Sequence, residues 1–142
     1  MITGIIADNH KPKTYIIMLQ SNLAFSSFAV KDLAKAHKFY GEVLGLEVTE
    51  NNMGILEVKT SGNQPIIIYP KPDHQPAVFT VLNFVVDNIE SAVDALIGKG
   101  IHFEQYTGDI QTDAKGICRN EEGPQVAWFK DPEGNILSVL EE

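Results

Sequence analysis

The chain has 142 residues, of which 44% are hydrophobic and 21% are charged. This composition suffices for one compact core and excludes a disordered or fibrous protein. Lys and Arg number 11 against 19 Asp and Glu, and the net charge of −8 argues against binding to nucleic acid or to an anionic membrane surface. The single cysteine, Cys118, cannot form an internal disulfide, so the sequence predicts a protein of the reducing cytoplasm.

Residues 1–23 are predicted to be an N-terminal extension, in which residues 1–20 are weakly organised. The segment lacks the apolar core and the cleavage site of a signal peptide, and no apolar stretch in the chain approaches the ~20 residues that cross a bilayer. Met18 lies shortly before the first clear strand, which raises the hypothesis that translation begins there. An intact mass of the native protein that includes residues 1–17 would reject this hypothesis.

A regular pattern begins at residue 24. Residues 25–30 alternate as a strand does, and Asp32 is placed to cap a helix that Gly45 ends. Further strands are predicted at 46–49, 55–60 and 65–69, with a turn between the last two. The helix presents an apolar stripe at helical spacing, formed by Leu33, Ala36, Tyr40, Val43 and Leu44.

The second half repeats this order. A strand is predicted at Thr80–Val86, followed by a helix that Asn88 caps and that Gly98 and Gly100 end. Residues 100–103 then correspond to the strand that follows the first helix, and the turn at 61–63 corresponds to 133–135. The chain is therefore predicted to be an internal duplication of a β-α-β-β-β module, which is an α+β fold.

The predicted domain organisation is one domain made of a module at 24–70, a linker at 70–77 and a module at 78–142. The linker is rich in proline and polar residues, which favours an extended connection. Within the second module, residues 106–124 show little periodicity and are predicted to be a functional loop or a flexible lid.

Three motifs carry a family resemblance: V-x-D-L at 30–33, F-Y-x-x-x-L-G-L at 39–46 and F-K-D-P-E-G-N at 129–135. With the duplication, they resemble the vicinal oxygen chelate superfamily, which includes glyoxalase I, the bleomycin-resistance proteins and the extradiol dioxygenases. The resemblance covers residues 24–141. It implies that the modules form open, curled mixed sheets around a cavity, and that the protein is a homodimer.

The resemblance also identifies where a metal would bind. Metal-dependent members place His or Gln five residues before the valine that ends the first strand of a module, and a carboxylate four residues after the hairpin glycine. In this chain the first rule gives Phe25 and Val81, and the second gives Ile66 and Ser138. Because these side chains cannot supply three or four imidazole or carboxylate ligands, no metal and no cofactor are predicted.

Side chains that share a face with these positions predict a ligand site instead. Strand alternation places Ser27 with Phe25 and Asn83 with Val81. Pairing across the hairpin at 131–135 places Trp128 opposite Ser138. In the loop, Tyr106 and Arg119 are candidates for closing over a ligand. The predicted ligand-binding residues are thus Phe25, Ser27, Val81, Asn83, Trp128, Ser138, Tyr106 and Arg119; a filled core beneath a solvated loop is the alternative.

The sequence therefore predicts a metal-independent protein that binds a small hydrophobic or aromatic molecule in a barrel cavity. The alternative from another class is a metal-dependent lyase or dioxygenase with relocated ligands, for which His74, Asp113 or Glu57 are candidates. A third hypothesis is a protein-interaction module whose cavity has collapsed. The sequence identifies neither the ligand nor any catalytic residue.

Overall fold

A computed structural model describes residues 2–7, 12–19 and 23–142. Strands β1 (Ile2–Ala7) and β2 (Pro12–Ile17) pair antiparallel. This pairing differs from the predicted lack of structure in the extension, part of which lies outside the described residues. Both strands are rich in isoleucine and threonine, residue types that favour strands.

The N-terminal module follows the predicted order of elements. Strand β3 (Ser27–Val30) leads into helix α1 (Leu33–Lys38), whose last turn widens into a π-helical segment at Phe39–Val43. Strands β4 (Glu47–Glu50), β5 (Leu56–Lys59) and β6 (Ile66–Pro70) complete it. The strand order in the sheet is β4-β5-β6-β3, and β3 runs parallel to β6. This leaves β3 at one edge.

The C-terminal module repeats the topology. It contains β7 (Thr80–Val85), α2 (Ile89–Gly98), β8 (Ile117–Cys118), β9 (Gln125–Lys130) and β10 (Ile136–Glu141). The strand order is β8-β9-β10-β7, with β7 parallel to β10. The predicted duplication and the α+β class are therefore confirmed, and the two four-stranded mixed sheets do not close into one barrel.

The fourth strand of this module lies elsewhere than predicted. Residues 101–105 form no strand, although the Glu104 amide donates to the Trp128 carbonyl over 2.8 Å. The edge strand is instead β8, which comes from the loop. Gly116 makes this possible: it has a φ of +88°, and a Cβ there would lie 2.7 Å from the Cβ of Phe103.

Both predicted helix caps are confirmed. Asp32 Oδ1 accepts from the Lys35 amide over 3.1 Å, and Asn88 Oδ1 accepts from the Ser91 amide over 2.9 Å. Two carboxylates of the C-terminal module also accept hydrogen bonds from backbone amides at the helix starts: Glu133 from the Asp32 amide and Glu141 from the Ile89 amide. Each helix start is therefore fixed partly by a distant segment. In the ranges described, no helix has the length and apolar character to cross a membrane.

A buried chain of hydrogen bonds joins the modules. Tyr40 of the π-helical segment donates to Asp131 Oδ2 over 2.8 Å, and Asn135 Nδ2 donates to the same oxygen over 2.8 Å. Asn135 Nδ2 also donates to the Ala29 carbonyl over 3.0 Å, while its Oδ1 lies 3.1 Å from His74 Nε2. Asp131 Oδ1 accepts from the backbone amides within the hairpin. The hairpin at 131–135 thus contacts the helix, the edge strand and the linker at once.

Replacing Tyr40 with Phe tests this chain. Burial, and then the neighbouring Asp131 carboxylate, raise the pKa of Tyr40 far above its ordinary value. Because an unfolded tyrosine ionises near pH 10, the stabilisation is complete below about pH 10 and is lost as the pH rises further. We expect the unfolding free energy of the parent protein to fall above pH 10 by up to about 1.4 kcal/mol per pH unit more than that of Tyr40→Phe.

Urea unfolding of both proteins between about pH 8 and 11 measures this difference. Lysines that ionise in the same range are common to both proteins and therefore cancel in the comparison. Parallel pH profiles would contradict the buried placement of the Tyr40 hydroxyl.

Candidate functional site

Two clefts lie where the edge strands of the two sheets, β3 and β7, approach each other. Both are lined by residues of β7. Residues 24–26, just before β3, line the first cleft, residues 27–29 of β3 line the second, and Ser26 lines both. The first, named here the Phe25 cleft, has a volume of about 630 Å³, and the second, the His74 cleft, about 720 Å³. Both volumes fall in the range of small-molecule sites.

The Phe25 cleft combines an apolar surface with hydroxyl and amide groups. It is enclosed by residues 24–26, by the β5–β6 hairpin and by residues 82–85 of β7. None of the described residues lining it is ionisable. Its apolar lining includes Phe25, Ile66, Leu82, Phe84 and Val85, and its polar lining includes Ser26, Thr60, Ser61, Asn63, Gln64 and Asn83.

The His74 cleft is more aromatic and contains ionisable groups. Its described lining includes the aromatic side chains Phe28, Tyr69 and Phe79, with the buried His74 and Asn135 on its inner side. Lys71 and Asp73 also line it, but they form an ion pair with each other over 2.7 Å. The linker that was predicted to be extended therefore forms one wall of this cleft.

The predicted ligand residues do not form a single site. Phe25 and Asn83 line the Phe25 cleft, whereas Ser27 and Val81 line the His74 cleft. Ser138 is fully buried and donates to Asn83 Oδ1 over 2.5 Å. This hydrogen bond joins β10 to the edge strand beside the Phe25 cleft.

The two aromatic candidates contact each other. Tyr106 and Trp128 meet edge to face, with ring centroids 5.6 Å apart. Trp128 pairs in register with Ser138, as predicted from the hairpin. Its Nε1 donates to Thr80 Oγ1 over 3.1 Å, so Thr80, Trp128, Ser138 and Asn83 share one face of the sheet.

A β-bulge explains why Thr80 was missed. The β7–β10 register runs from Thr80 opposite Ile136 to Leu82 opposite Leu137 and skips Val81. Strict alternation predicts Val81 on the face of Asn83, but the extra residue brings Thr80 onto that face instead. No turn or glycine signal in the sequence marks this bulge.

The register of the N-terminal sheet differs by one residue from the prediction. Ser27 lies opposite Ile67, as Asn83 lies opposite Ser138, so the position equivalent to Ser138 is Ile67 and not the Ile66 that the four-residue rule gave; Ile67 in turn lies opposite Glu57. Ile66 belongs to the hydrophobic core and also borders the Phe25 cleft. The glycine of this hairpin is therefore five residues from the position equivalent to Ser138, not four. The sequence carries too weak a signal to place the register of this hairpin.

Metal-dependent members of the family that this chain resembles hold a divalent ion on the faces that carry these positions. The row Ser27–Ile67–Glu57 offers one carboxylate, and the row Asn83–Ser138–Trp128 offers none. Glu57 accepts from Asn51 Nδ2 over 3.3 Å. Nowhere in the described part of the chain do three His, Cys, Asp or Glu residues come together as a metal site. The described residues therefore do not fit a metal.

The other relocated-ligand candidates are engaged elsewhere. His74 bonds Asn135, and Asp113 Oδ2 accepts from Arg119 Nε over 3.0 Å. Glu57, His74 and Asp113 therefore have different partners and do not come together as one set of metal ligands.

Arg119 is held in an ion-pair network on the surface. Besides Asp113 it contacts Glu90 of α2, and Lys115 pairs with Glu90 over 3.2 Å and with Asp94 over 2.8 Å. The hydrogen bond from Lys115, followed by that from Arg119, lowers the pKa of Glu90. The network fastens the loop at 106–124 to α2. The Arg119 guanidinium, which was predicted to bind a ligand, is already paired with two carboxylates in this network.

Paired β-α-β-β-β modules with open mixed sheets define a recognisable class of α+β protein. A family model of the Glyoxalase/Bleomycin resistance protein/Dioxygenase superfamily matches residues 22–139. The chain belongs to this superfamily, and the resemblance predicted from its motifs is confirmed. No curated protein matches the chain.

Solved structures share the fold at low identity. A protein assigned to the glyoxalase family in Bacillus anthracis is 22% identical, with a TM-score of 0.69 over 89% of this chain and 99% of its own. A superfamily member from Sphaerobacter thermophilus is 23% identical, with a TM-score of 0.64 over 88% and 100%. TnmS3, an antibiotic-binding protein from a Streptomyces species, is 22% identical, with a TM-score of 0.65 over 88% and 98%. These likenesses show the fold alone.

The Trp128–Thr80 hydrogen bond is testable because the chain has a single tryptophan. In Thr80→Val the indole N–H loses its acceptor, so we expect its proton resonance to move upfield and its hydrogen exchange to accelerate. Thr49→Val, at an exposed position of β4, is the matched control and should leave both unchanged. An unaltered indole signal in Thr80→Val would rule out this contact.

Proposed function

We propose that this protein binds a small, uncharged hydrophobic or aromatic molecule in the Phe25 cleft, without a metal. The observation that carries the proposal is the lining of that cleft, in which apolar side chains alternate with hydroxyl and amide groups and no described residue is charged. A site of this composition gains affinity from buried apolar area and orientation from a few hydrogen bonds.

Exposed apolar side chains support this site. Phe25 is 65% exposed and Val85 66% exposed, although both border one concave surface. Burying such side chains under a ligand removes apolar area from water, at roughly 25 cal/mol per Å². A ligand that fills the cleft thus stabilises the folded protein.

The side chains available as metal ligands favour a ligand-binding function over a metal-dependent reaction. The positions that hold the metal in metal-dependent relatives carry side chains without imidazole or carboxylate groups, and a divalent ion needs several such ligands. The description of TnmS3 as an antibiotic-binding protein further supports a binding function on this fold.

The same proposal includes a homodimer in the cytoplasm that binds neither nucleic acid nor membranes. The net charge of −8 supports the absence of a phosphate-binding surface. The dimer rests on the resemblance to the superfamily. Light scattering at micromolar concentration measures the mass directly, and a monomeric mass would count against this part of the proposal.

The neutral aromatic probe N-phenyl-1-naphthylamine tests the Phe25 cleft. We expect its fluorescence to rise on binding and Phe25→Ala to weaken its affinity about tenfold, since an aromatic contact of about 1 to 2 kcal/mol is lost. Phe79→Ala is the matched control: Phe79 is 66% exposed but lines the other cleft. Equal loss of affinity in both variants would contradict binding in the Phe25 cleft.

Metal analysis of protein purified without chelator or metal-affinity resin tests the second half of the proposal. We expect far less than one divalent ion per chain and unchanged probe binding in EDTA, because the described residues form no metal site. One tightly held ion per chain, with a function lost on chelation and restored by metal, would replace this proposal with the metal-dependent lyase or dioxygenase.

A further inference from the structure

The hydrogen bonds of Asn135 fix the tautomer of a neutral His74 ring. Asn135 Nδ2 donates to the Ala29 carbonyl over 3.0 Å and to Asp131 Oδ2 over 2.8 Å. Both partners are acceptors, so the amide cannot be reversed and its Oδ1 must face His74. Since Oδ1 accepts and does not donate, His74 Nε2 carries the proton in the 3.1 Å contact.

The other ring nitrogen of His74 is left without a partner. In a neutral imidazole whose Nε2 is protonated, Nδ1 is a hydrogen-bond acceptor. Nδ1 makes no hydrogen bond to any described residue, although His74 is only 7% exposed. No buried polar side-chain atom of the described residues lacks a partner, so Nδ1 is not enclosed. It reaches the only open space that His74 is described as lining, the His74 cleft.

The walls of this cleft favour an aromatic ligand. Phe79 is 66% exposed and Tyr69 37% exposed, and both line the cleft with His74. Rings of this kind pack against a planar aromatic molecule edge to face or in offset stacks. The nearby ion pair between Lys71 and Asp73 is internally neutralised, so it offers no free charge for an ionic ligand.

We propose that the His74 cleft is a second small-molecule site, which binds a neutral hydroxylated aromatic molecule whose O–H donates to His74 Nδ1. The ring of the ligand packs between Tyr69 and Phe79. Asp131 and Asn135 act as positioning residues, because they hold the imidazole with its acceptor toward the cleft. The site shares only Ser26 with the Phe25 cleft, so either site can exist without the other.

Nitrogen-15 NMR of the histidine rings tests the protonation pattern without any variant. We expect His74 in the Nε2–H form, and we expect its Nδ1 resonance to shift upfield when 4-ethylphenol is added. Backbone amides of Ser27, Tyr69 and Val81 should move with it, while those of the Phe25 cleft should not. A His74 ring in the Nδ1–H form would overturn the proposal, as would phenol-induced shifts confined to the Phe25 cleft.

A ligand pair isolates the hydrogen bond. 4-Ethylanisole has the ring of 4-ethylphenol but no O–H donor, so we expect it to bind about tenfold more weakly. In His74→Gln the amide nitrogen can still donate to Asn135 Oδ1, but no acceptor occupies the Nδ1 position. The preference for the phenol should therefore disappear in this variant.

His102→Gln, at an exposed histidine outside both clefts, is the matched control and should keep the tenfold preference. Equal affinity of the parent protein for phenol and ether would overturn the proposal, and so would the absence of saturable phenol binding up to its solubility limit. Phe25→Ala should leave the preference unchanged, which separates failure of this site from failure of the Phe25 cleft.

Discussion

The carboxylate of Asp131 is the constraint on which the arrangement of the two modules depends. It is only 5% exposed, and it accepts hydrogen bonds from Tyr40, from the Asn135 side chain and from two backbone amides of its own hairpin. Leaving a buried group of this kind without a partner costs about 1 to 3 kcal/mol or more. A displacement of one module against the other breaks the Tyr40–Asp131 bond and the Asn135–Ala29 bond together, so β3 is held against the hairpin at 131–135.

The clefts lie where the edge strands of the two sheets approach each other. Edge strands β3 and β7 lie at the ends of their sheets, and the core beneath them is continuous through both modules, from Val30 to Val139. Separating the sheets would therefore expose this core to water. The duplication makes the two halves alike in topology, but the linker lies at one cleft and the β5–β6 hairpin at the other. The clefts consequently differ in chemistry.

Local sequence signals, such as helix caps and strand alternation, predict the helices and strands. They do not predict the register in which neighbouring strands pair. Asp32 and Asn88 cap their helices because a side-chain oxygen can reach an amide three residues on, which depends on sequence alone. The bulge at Val81 depends on how β10 packs against β7. A one-residue error in register reverses the face on which a side chain lies. The order of elements was therefore predicted correctly, but Val81 was assigned to the face that Thr80 occupies. The predicted site residues are divided between two clefts.

The polar side chains on the Ser138 face of the C-terminal sheet are already hydrogen-bonded to one another. Ser138 bonds Asn83, and Thr80 bonds Trp128. A ligand that meets satisfied hydroxyls gains little from them, because each new hydrogen bond must replace an existing one. Apolar contact then supplies most of the affinity. In the site proposed at the His74 cleft, orientation falls to His74 Nδ1, and the same Asp131–Asn135 pair that joins the modules holds this acceptor in place.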